Sequence, residues 1–387
     1  MTTDVALMVF SMGGGGVERM RINLAGELLR RGFATSIVVA RSDGHWGRNR
    51  SRIPPGVTFV DFEAHSWKAW RSSFQSYLKS ERPRVVLAAM ETAGVTALWA
   101  RRRASASTRI VVSSHVELSR HTKQDWPFSK RLVMTYLMRR LYRHADGVVA
   151  VSDGVADDLA RFARLPRKKI TVINNPVVTE HLLEAKNQLP DHPWLSDVSD
   201  PLMIAVGRLT KQKDFGTLLR AFALMRQQRP ARLMILGEGE DRSSLEALAR
   251  DLGIEQHVQM PGFVPDPLSY VSKASVFVLS SAWEGFGNAI VEALACGCPV
   301  VSTDCPSGPR EVLGGGEYGR LVAVGDHQAL SEAVLDVLKN PLASHELTKR
   351  AMEFHVDKIV DQYLAVMGLS DEVVSEAPEA RRVAACG

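Results

Sequence analysis

Short apolar runs alternate along the chain with segments in which apolar residues recur every three or four positions. The first run, residues 5–10, is continuous, which is typical of a strand buried on both faces of a parallel sheet. After a glycine loop, residues 17–29 show helical spacing, and Gly32 stands where such a helix would end. This order of strand, loop and helix predicts the first βα unit of a doubly wound domain.

The same alternation continues and predicts two α/β domains. Further strands of a first domain, residues 1–180, are predicted at residues 36–40, 57–62, 85–89, 110–113, 148–151 and 170–173. Residues 181–200 lose the periodicity and contain Pro190 and Pro193, which indicates an interdomain linker. A second domain, residues 201–341, has predicted strands at residues 202–206, 233–236, 276–279 and 299–302. Two Rossmann-like domains that face each other would leave a ligand cleft where the carboxyl ends of their sheets meet.

The C-terminal region is expected to contain helices and then a disordered tail. Residues 342–369 show helical patterns, and the last of these helices is expected to return to the N-terminal domain. Residues 370–387 are rich in Glu, Ala and Arg and are expected to be disordered.

Composition favours a globular protein of a reducing compartment. The chain has 387 residues, of which 45% are hydrophobic and 24% charged. No apolar run approaches the roughly 18 residues that cross a bilayer, and no cleavable leader is recognisable at the N-terminus. The four cysteines form no disulfide framework and no pair of zinc knuckles. We therefore expect a cytoplasmic protein with free thiols.

Charge is divided unevenly between the two halves. Residues 1–180 hold 29 Lys and Arg against 15 Asp and Glu, a net charge of +14, and the remainder holds 19 against 28, or −9. A basic N-terminal domain is typical of a protein that contacts phospholipid headgroups or nucleic acid. The alternative is that these charges lie scattered over solvated faces.

The first loop, which follows the strand at residues 5–10, is glycine-rich. Gly14, Gly15 and Gly16 precede Glu18 at the predicted start of a helix, where free backbone amides can bind a phosphate or a sugar oxygen. The spacing matches neither a dinucleotide-binding fingerprint nor a P-loop. This argues against a nicotinamide cofactor and against a P-loop nucleotide site. A flexible turn without a ligand is the alternative.

The first strand of the second domain ends in a cationic loop. Arg208 and Lys213 follow residues 202–206, so they lie at the carboxyl end of a predicted strand. A guanidinium fork and an ammonium suit a diphosphate whose leaving oxygen gains charge during bond cleavage. Taken alone, such a loop is more often merely solvated than a binding site.

A second glycine loop carries the most specific pattern of the chain. Residues 280–295 follow a predicted strand and place Glu284 in the loop and Glu292 about one turn inside the next helix, which Asn288 is predicted to cap. Carboxylates accept hydrogen bonds from hydroxyl groups, whereas the helix N-terminus attracts phosphate. This arrangement predicts a site for the ribose and the sugar on either side of a diphosphate.

These residues resemble the retaining glycosyltransferase family 4, which has the GT-B architecture. The match includes Glu284 and Glu292, separated by seven residues, the loop with Arg208 and Lys213, and the segments around His115 and Asn175. Residues 302–311 are similar to those of bacterial members that build surface polysaccharides and lipid-linked oligosaccharides. The resemblance extends in order over nearly the whole chain.

The resemblance implies a role for each of these positions. Arg208 and Lys213 would bind the diphosphate, Glu292 the ribose, and Glu284 the donor sugar. The backbone of Phe286, Gly287 and Asn288 would also meet the sugar, and the backbone near Phe263 and Val264 would meet the base. His115 would lie over the hydroxymethyl group of the sugar, although a lone histidine is more often structural, and the first glycine loop would line the acceptor side.

The resemblance also implies a reaction. A sugar would pass with retention from a nucleotide sugar, with UDP as the expected nucleotide, to a glycan or lipid-linked acceptor. The nucleotide sugar is a substrate, and no cofactor, metal ion or nucleic acid is expected. Peripheral contact with an anionic membrane would fit the basic N-terminal domain. The alternatives are a nucleotide-sugar epimerase of the same architecture and a basic binding module without activity.

Overall fold

The structure is a computed structural model that describes residues 3–12, 15–42, 52–187, 190, 192–196 and 199–370, apart from the side chains of residues 124 and 125. The chain divides into two compact units. The first unit comprises Met1–Pro176 and Val356–Gly387, and the second comprises Val177–His355.

A seven-stranded parallel sheet forms the centre of the first unit, in the order β3-β2-β1-β4-β5-β6-β7. Its strands are buried almost throughout, which explains their continuous apolar runs. They are β1 (Val5–Ser11), β2 (Thr35–Arg41), β3 (Thr58–Asp61), β4 (Val85–Ala89), β5 (Arg109–Ser114), β6 (Gly147–Ala150) and β7 (Ile170–Val172).

Seven α-helices accompany this sheet in the described part of the first unit. They are α1 (Gly16–Arg30), α2 (Trp67–Ser80), α3 (Met90–Ala104), α4 (Leu118–Asp125), α5 (Phe128–Leu141), α6 (Asp153–Ala163) and the last helix of the chain, α16 (Val356–Met367). One core cluster combines the buried face of α1 with α16, in which Ile359, Tyr363 and Met367 pack toward β1, β4 and β5. The C-terminal helix is therefore part of the first unit.

The second unit contains a six-stranded parallel sheet in the order β10-β9-β8-β11-β12-β13. Its strands are β8 (Leu202–Val206), β9 (Arg232–Leu236), β10 (Val258–Gly262), β11 (Val276–Leu279), β12 (Val300–Thr303) and β13 (Arg320–Val322). In both sheets the order reverses beside the first strand of the unit, so each has the topology expected of a Rossmann-like domain. The predicted pair of α/β folds is thereby confirmed.

Nine helices belong to the described part of the second unit. They are α7 (Glu180–Ala185), α8 (Pro193–Ser196), α9 (Phe215–Arg226), α10 (Arg242–Asp251), α11 (Leu268–Val271), α12 (Asn288–Ala295), α13 (Pro309–Val312), α14 (His327–Lys339) and α15 (Ser344–Ala351). Buried apolar residues of α9 and α14 pack on β8, β9 and β11 to form the core.

Two strands of the second unit escaped prediction from the sequence. β10 contains Pro261 and a register shift between Gln259 and Gly262, so its ladder is interrupted. β13 has three residues, and Arg320 at its start is exposed. Neither segment offers the continuous apolar run that marks a buried strand.

The predicted linker has secondary structure of its own. Within residues 181–200, α7 is capped by Thr179 and buries Leu182 and Ala185, and α8 follows at Pro193–Ser196. The division between the units falls at Pro176 and Val177, ahead of these helices. The predicted tail, beyond Ser370, lies outside the described residues.

No helix in the described ranges combines the length and the apolar character that a membrane span requires.

Candidate active site

The cationic loop between β8 and α9 holds Arg208 and Lys213 at the carboxyl end of the second sheet. Arg208 is exposed, and Lys213 is half-buried. The Lys213 stem lies over Gly207, since a methyl group on that glycine would come within 3.1 Å of it. Asp214 then caps α9 and ends the loop. The loop therefore presents one solvated guanidinium and one ammonium held by packing.

The glycine loop between β11 and α12 brings Glu284 to that ammonium. Glu284 Oε1 lies 2.5 Å from Lys213 Nζ and accepts a hydrogen bond of 2.7 Å from Ser281 Oγ. The carboxylate is only 8% exposed. A buried carboxylate that is paired and hydrogen-bonded is fixed in orientation, because releasing it would leave a buried charge without compensation. Lys213 and Glu284, which the sequence places in separate loops, thus form one ion pair.

Backbone contacts hold these two loops together. The Ala282 amide donates to the Gln212 carbonyl at 2.8 Å, and the Gln212 side chain donates to the Trp283 carbonyl at 3.0 Å. Ser280 Oγ donates to the Lys213 carbonyl at 2.7 Å. These supporting residues were not predicted from the sequence, because no pattern in either loop shows which residues pair across two strands.

The start of α12 differs from the prediction. Gly287, rather than Asn288, is the N-cap residue, and its φ of +90° lies in the left-handed region that favours glycine. Asn288 is the first helical residue. Sequence preference for asparagine at N-caps was outweighed by a backbone turn that glycine adopts more readily.

Phe286 has a packing role at this turn. Its side chain is buried and meets Phe354 edge-on, with ring centroids 5.5 Å apart. A methyl group on Gly308 would come within 2.1 Å of the Phe286 carbonyl oxygen, so a third loop presses on the same backbone. The Phe286 side chain thereby fixes the turn, and the backbone of Gly287 and Asn288 stays at the helix N-terminus.

Glu292 lies within α12, beyond its first turn, and is as buried as Glu284. It lies on the same helix whose N-terminus carries the Gly287 turn. A carboxylate in this position can accept hydrogen bonds from hydroxyl groups of a ligand bound at the helix end.

A further loop, at the end of β9, packs against the cationic loop. The Leu209 amide donates to the Glu238 carbonyl at 2.9 Å, and the Gly237 amide donates to the Gly262 carbonyl at 2.8 Å. A methyl group on Gly237 would lie 1.9 Å from the Gly207 carbonyl oxygen. The backbones are therefore in direct contact, which only glycine permits.

Phe263 and Val264 follow β10 at the same sheet edge. The Phe263 ring is 67% exposed, and Val264 is half-buried. An exposed aromatic ring at this sheet edge offers a flat apolar surface on which a nucleobase can stack. Nearby Glu238 is held by Arg242, whose hydrogen bond lowers the pKa of the carboxyl.

His115 lies in the first unit, directly after β5, and is buried. Its Nε2 is 3.0 Å from Ser113 Oγ, which in turn accepts a hydrogen bond of 2.6 Å from Arg21. Burial lowers the pKa of His115 well below its usual value, the positive charge of Arg21 lowers it further, and Asn175 acts in the opposite direction. The ring is therefore neutral at physiological pH.

Arg21, on α1, was not predicted as a site residue. It is fully buried, and within the described residues its Nε and Nη1 have no hydrogen-bond partner. Burial lowers the pKa of its guanidinium to about 10, against a smaller opposite effect of Tyr363. A charged residue between apolar positions of a helix gives no signal that distinguishes a buried side chain from a solvated one.

The first glycine loop is partly described. Gly14 lies outside the described residues, whereas Gly15 is the N-cap of α1 and Gly16 is its first residue. The Glu18 carboxylate folds back toward this end, since a methyl group on Gly15 would lie 2.8 Å from Glu18 Oε2. A carboxylate there repels anions, so the loop favours a hydroxyl group over a phosphate.

The thiols and acids of the described residues form no metal centre. No group of three or more His, Cys, Asp or Glu side chains in those ranges is arranged to hold an ion. Cys296, Cys298 and Cys305 form no disulfide within the described ranges, and burial raises the pKa of the Cys296 thiol to about 12. The Cys296 thiol therefore stays protonated at neutral pH and is a poor nucleophile.

Comparison with known families matches both units. The family model described as "Glycosyltransferase Family 4" matches residues 14–181, and the model "Glycosyl transferases group 1" matches residues 191–354. Together these matches cover most of the chain. The protein belongs to glycosyltransferase family 4.

Curated relatives share part of their length with this chain. One is the N-acetylgalactosamine-N,N'-diacetylbacillosaminyl-diphospho-undecaprenol 4-alpha-N-acetylgalactosaminyltransferase of Campylobacter jejuni, 34% identical over 54% of this chain and 55% of the relative. Another is the lipopolysaccharide core biosynthesis glycosyltransferase LpsE of Rhizobium meliloti, 30% identical over 58% of this chain and 65% of the relative. The matched regions thus span between about half and two thirds of these two relatives.

Solved structures confirm the architecture over almost the full chain. The lipopolysaccharide outer core galactosyltransferase WaaB is similar with a TM-score of 0.70 and 21% identity, over 94% of this chain and 99% of that one. HepE of Anabaena, solved in complex with UDP, gives a TM-score of 0.74 with 20% identity, over 95% and 100%. At these identities the likeness shows the GT-B fold alone.

Proposed function

We propose that this protein is a retaining glycosyltransferase that moves a sugar from a UDP-linked donor to a glycan or lipid-linked saccharide in bacterial polysaccharide or glycoconjugate biosynthesis. The observation that carries the proposal is the buried Glu284 carboxylate, held by Lys213 and Ser281 at the turn that begins α12. Family membership supports the reaction class. The UDP complex of HepE and the names of the curated relatives support the donor and the acceptor class.

The second unit would bind the donor through its carboxyl-edge loops. One N–H of the Lys213 ammonium meets Glu284, which leaves two N–H groups for the diphosphate. Arg208 would add a second cation, and the N-terminus of α12 would add backbone amides. Glu292 would accept hydrogen bonds from the ribose, Glu284 would do so from the sugar, and the Phe263 ring would cover the base.

Bond exchange would then take place at the anomeric carbon. The bond from this carbon to the diphosphate oxygen breaks, and a bond to the acceptor hydroxyl oxygen forms on the same face. The acceptor proton passes to the departing phosphate, so no protein nucleophile is required. Lys213 and Arg208 stabilise the charge that develops on the diphosphate, which is the task a metal ion would otherwise perform. We accordingly propose that the reaction is metal-independent.

On the acceptor side, the first unit would supply His115 and the first glycine loop. A neutral His115 ring can exchange a hydrogen bond with a sugar hydroxyl without adding a positive charge of its own. Gly15, Gly16 and Glu18 would meet acceptor hydroxyl groups. An acceptor anchored in lipid would be collected at the inner face of the cytoplasmic membrane, in agreement with the net charge of +14 on residues 1–180.

Two measurements on the full-length protein test this proposal. Thermal unfolding with a panel of nucleotides should show the largest stabilisation with UDP or a UDP-sugar, about 2.7 kcal/mol at 100 times the dissociation constant. Consumption of the donor should then require a saccharide acceptor. Conversion of the donor sugar in the absence of acceptor would instead identify an epimerase. If none of the nucleotides stabilised the protein, the assignment as a nucleotide-sugar enzyme would be contradicted.

A further inference from the structure

Helix α5 exposes large apolar side chains on its outer face. Phe128, Leu132, Val133 and Tyr136 are 72%, 54%, 51% and 62% exposed. Their spacing places them on one side of the helix over more than two turns. We call these four residues the α5 stripe.

The opposite face of α5 is also apolar. Met134 and Met138 are buried where the helix packs against α3 and α6. A helix on the surface of a soluble protein is normally apolar on one face and polar on the other. In α5, by contrast, both the buried face and the exposed face are apolar.

Basic residues surround the α5 stripe. Residues 128–143 contain five Lys and Arg and no Asp or Glu. Arg139 and Arg140 are exposed in the turn after Tyr136. At the other end, Lys130 lies over the Trp126 ring at 4.5 Å. Aromatic and aliphatic side chains bordered by long basic ones match the boundary of a bilayer, where the chains enter the acyl region and the cations meet phosphates.

We propose that the α5 stripe docks in the interfacial layer of an anionic phospholipid bilayer. The charge of α5 favours a bilayer over a second copy of the chain as the partner. A symmetric dimer through α5 would bring two sets of five basic residues close together, and they would repel each other. The helix has 14 residues and is too short to cross a bilayer, which takes about 20, so it lies in the plane of the surface. Docking would bring the enzyme to a lipid-linked acceptor, and this benefit, unlike the docking itself, rests on the proposed function.

Two other basic residues of the first unit form ion pairs within the protein. Arg101 pairs with Asp146, and Arg167 pairs with Asp153 and Asp157. Their charge is partly neutralised, so they contribute less to attraction toward anionic lipid. The net charge of +14 on residues 1–180 therefore overstates the attraction of the first unit to anionic lipid. The basic residues near the α5 stripe contribute more to this attraction than the net charge suggests.

Vesicle sedimentation of the purified full chain, without donor or acceptor, tests the proposal. The wild type should bind vesicles of phosphatidylcholine with phosphatidylglycerol and should bind pure phosphatidylcholine weakly. Phe128→Ser/Leu132→Ser/Tyr136→Ser should weaken binding at least tenfold, because three apolar side chains no longer enter the bilayer. Arg139→Gln/Arg140→Gln should weaken binding to anionic vesicles and flatten its dependence on salt.

Matched variants on the second unit provide the control. Val324→Ser/Leu342→Ser removes two exposed apolar side chains, and Arg250→Gln/Lys339→Gln removes two exposed cations. Both should bind vesicles as the wild type does. All variants should keep the wild-type melting temperature, because the replaced side chains are exposed.

Two results would overturn the proposal. One is equal binding of the wild type and the triple serine variant to anionic vesicles. The other is a wild-type dimer in sedimentation velocity that the triple variant abolishes, which would assign the α5 stripe to self-association. Because neither assay requires turnover, a failure of docking leaves the sugar-transfer proposal standing, and a failure of sugar transfer leaves docking intact.

Discussion

The two units share a sheet topology but hold their charged residues in different ways. In the second unit, Lys213 and Glu284 pair across two loops at the carboxyl edge. In the first unit, Arg21 is fully buried, and its one hydrogen bond within the described residues goes to the Ser113 hydroxyl. The first arrangement balances charge at the proposed donor site, whereas in the second a buried charge lowers the pKa of the neighbouring His115 ring.

Glycines account for a second difference. At the edge of the second sheet, Gly237 and Gly308 let the backbones of neighbouring loops come into direct contact. In the first unit, Gly15 and Gly16 are exposed at the start of α1. Closely packed loops would suit the diphosphate of the proposed donor, and an exposed loop would suit the proposed acceptor.

The largest effect is expected from breaking the ion pair of the second unit. Lys213→Ala and Glu284→Ala should each lower turnover about 10²- to 10³-fold at saturating donor, because each removes a preorganised electrostatic contact. Steady-state kinetics with a UDP-sugar and acceptor measure this. As a control, Arg320→Ala breaks the exposed pair with Asp336 and should leave turnover unchanged. Near-wild-type rates in either site variant would remove that residue from the mechanism.

Glu292→Ala should separate binding from chemistry. Because its proposed partner is the ribose, the substitution should weaken donor affinity and largely preserve turnover at saturating donor. Isothermal titration with UDP, combined with kinetics, distinguishes the two parameters. A large loss of turnover with unchanged affinity would contradict a ribose contact.

Adding a methyl group at Gly237 should destabilise the second unit. Gly237→Ala would place its Cβ 1.9 Å from the Gly207 carbonyl oxygen, so we expect a loss of about 1–3 kcal/mol in the free energy of unfolding and weaker UDP binding. Gly253→Ala is the matched control, since Gly253 also has a positive φ but nothing lies within 4 Å of its added methyl group. Equal losses in both variants by chemical denaturation would mean that φ, rather than backbone contact, is responsible.

The buried charge of the first unit should be visible in a titration. Arg21→Met removes the second cause of the low pKa of His115, so this pKa should rise while burial still keeps it below its usual value. The unfolded chain binds a proton near pH 6.5 and the folded ring binds one only at lower pH, so the free energy of unfolding falls as pH drops below 6.5. In the variant this fall ends at a higher pH, and the total loss is smaller. Ring ¹⁵N chemical shifts against pH measure the change. An unaltered His115 titration would show that Arg21 has only a packing role.

Chelation should have the smallest effect. If Arg208 and Lys213 supply the positive charge that stabilises the diphosphate, activity should be the same with and without excess chelator. Loss of activity that magnesium or manganese restores would show that the cationic loop is insufficient by itself.

Sequence predicted the parts of this molecule that depend on local patterns. Continuous apolar runs located strands such as β4 and β8 at their observed bounds, and the loops with Lys213 and Glu284 were placed at strand ends. Contacts between distant segments were not predictable: the Gln212 hydrogen bonds and the burial of Arg21 depend on tertiary packing. The exposure of one face of α5 was not predicted either. An apolar helix sequence does not show which of its faces the rest of the protein covers.

The anomeric configuration of the product tests the central claim most directly. Proton NMR of the reaction with an α-linked UDP-sugar and a saccharide acceptor should show an α-linked product at early times, formed by wild type and nearly absent with Lys213→Ala. A β-linked product would contradict the retaining mechanism proposed for the Lys213 and Glu284 site.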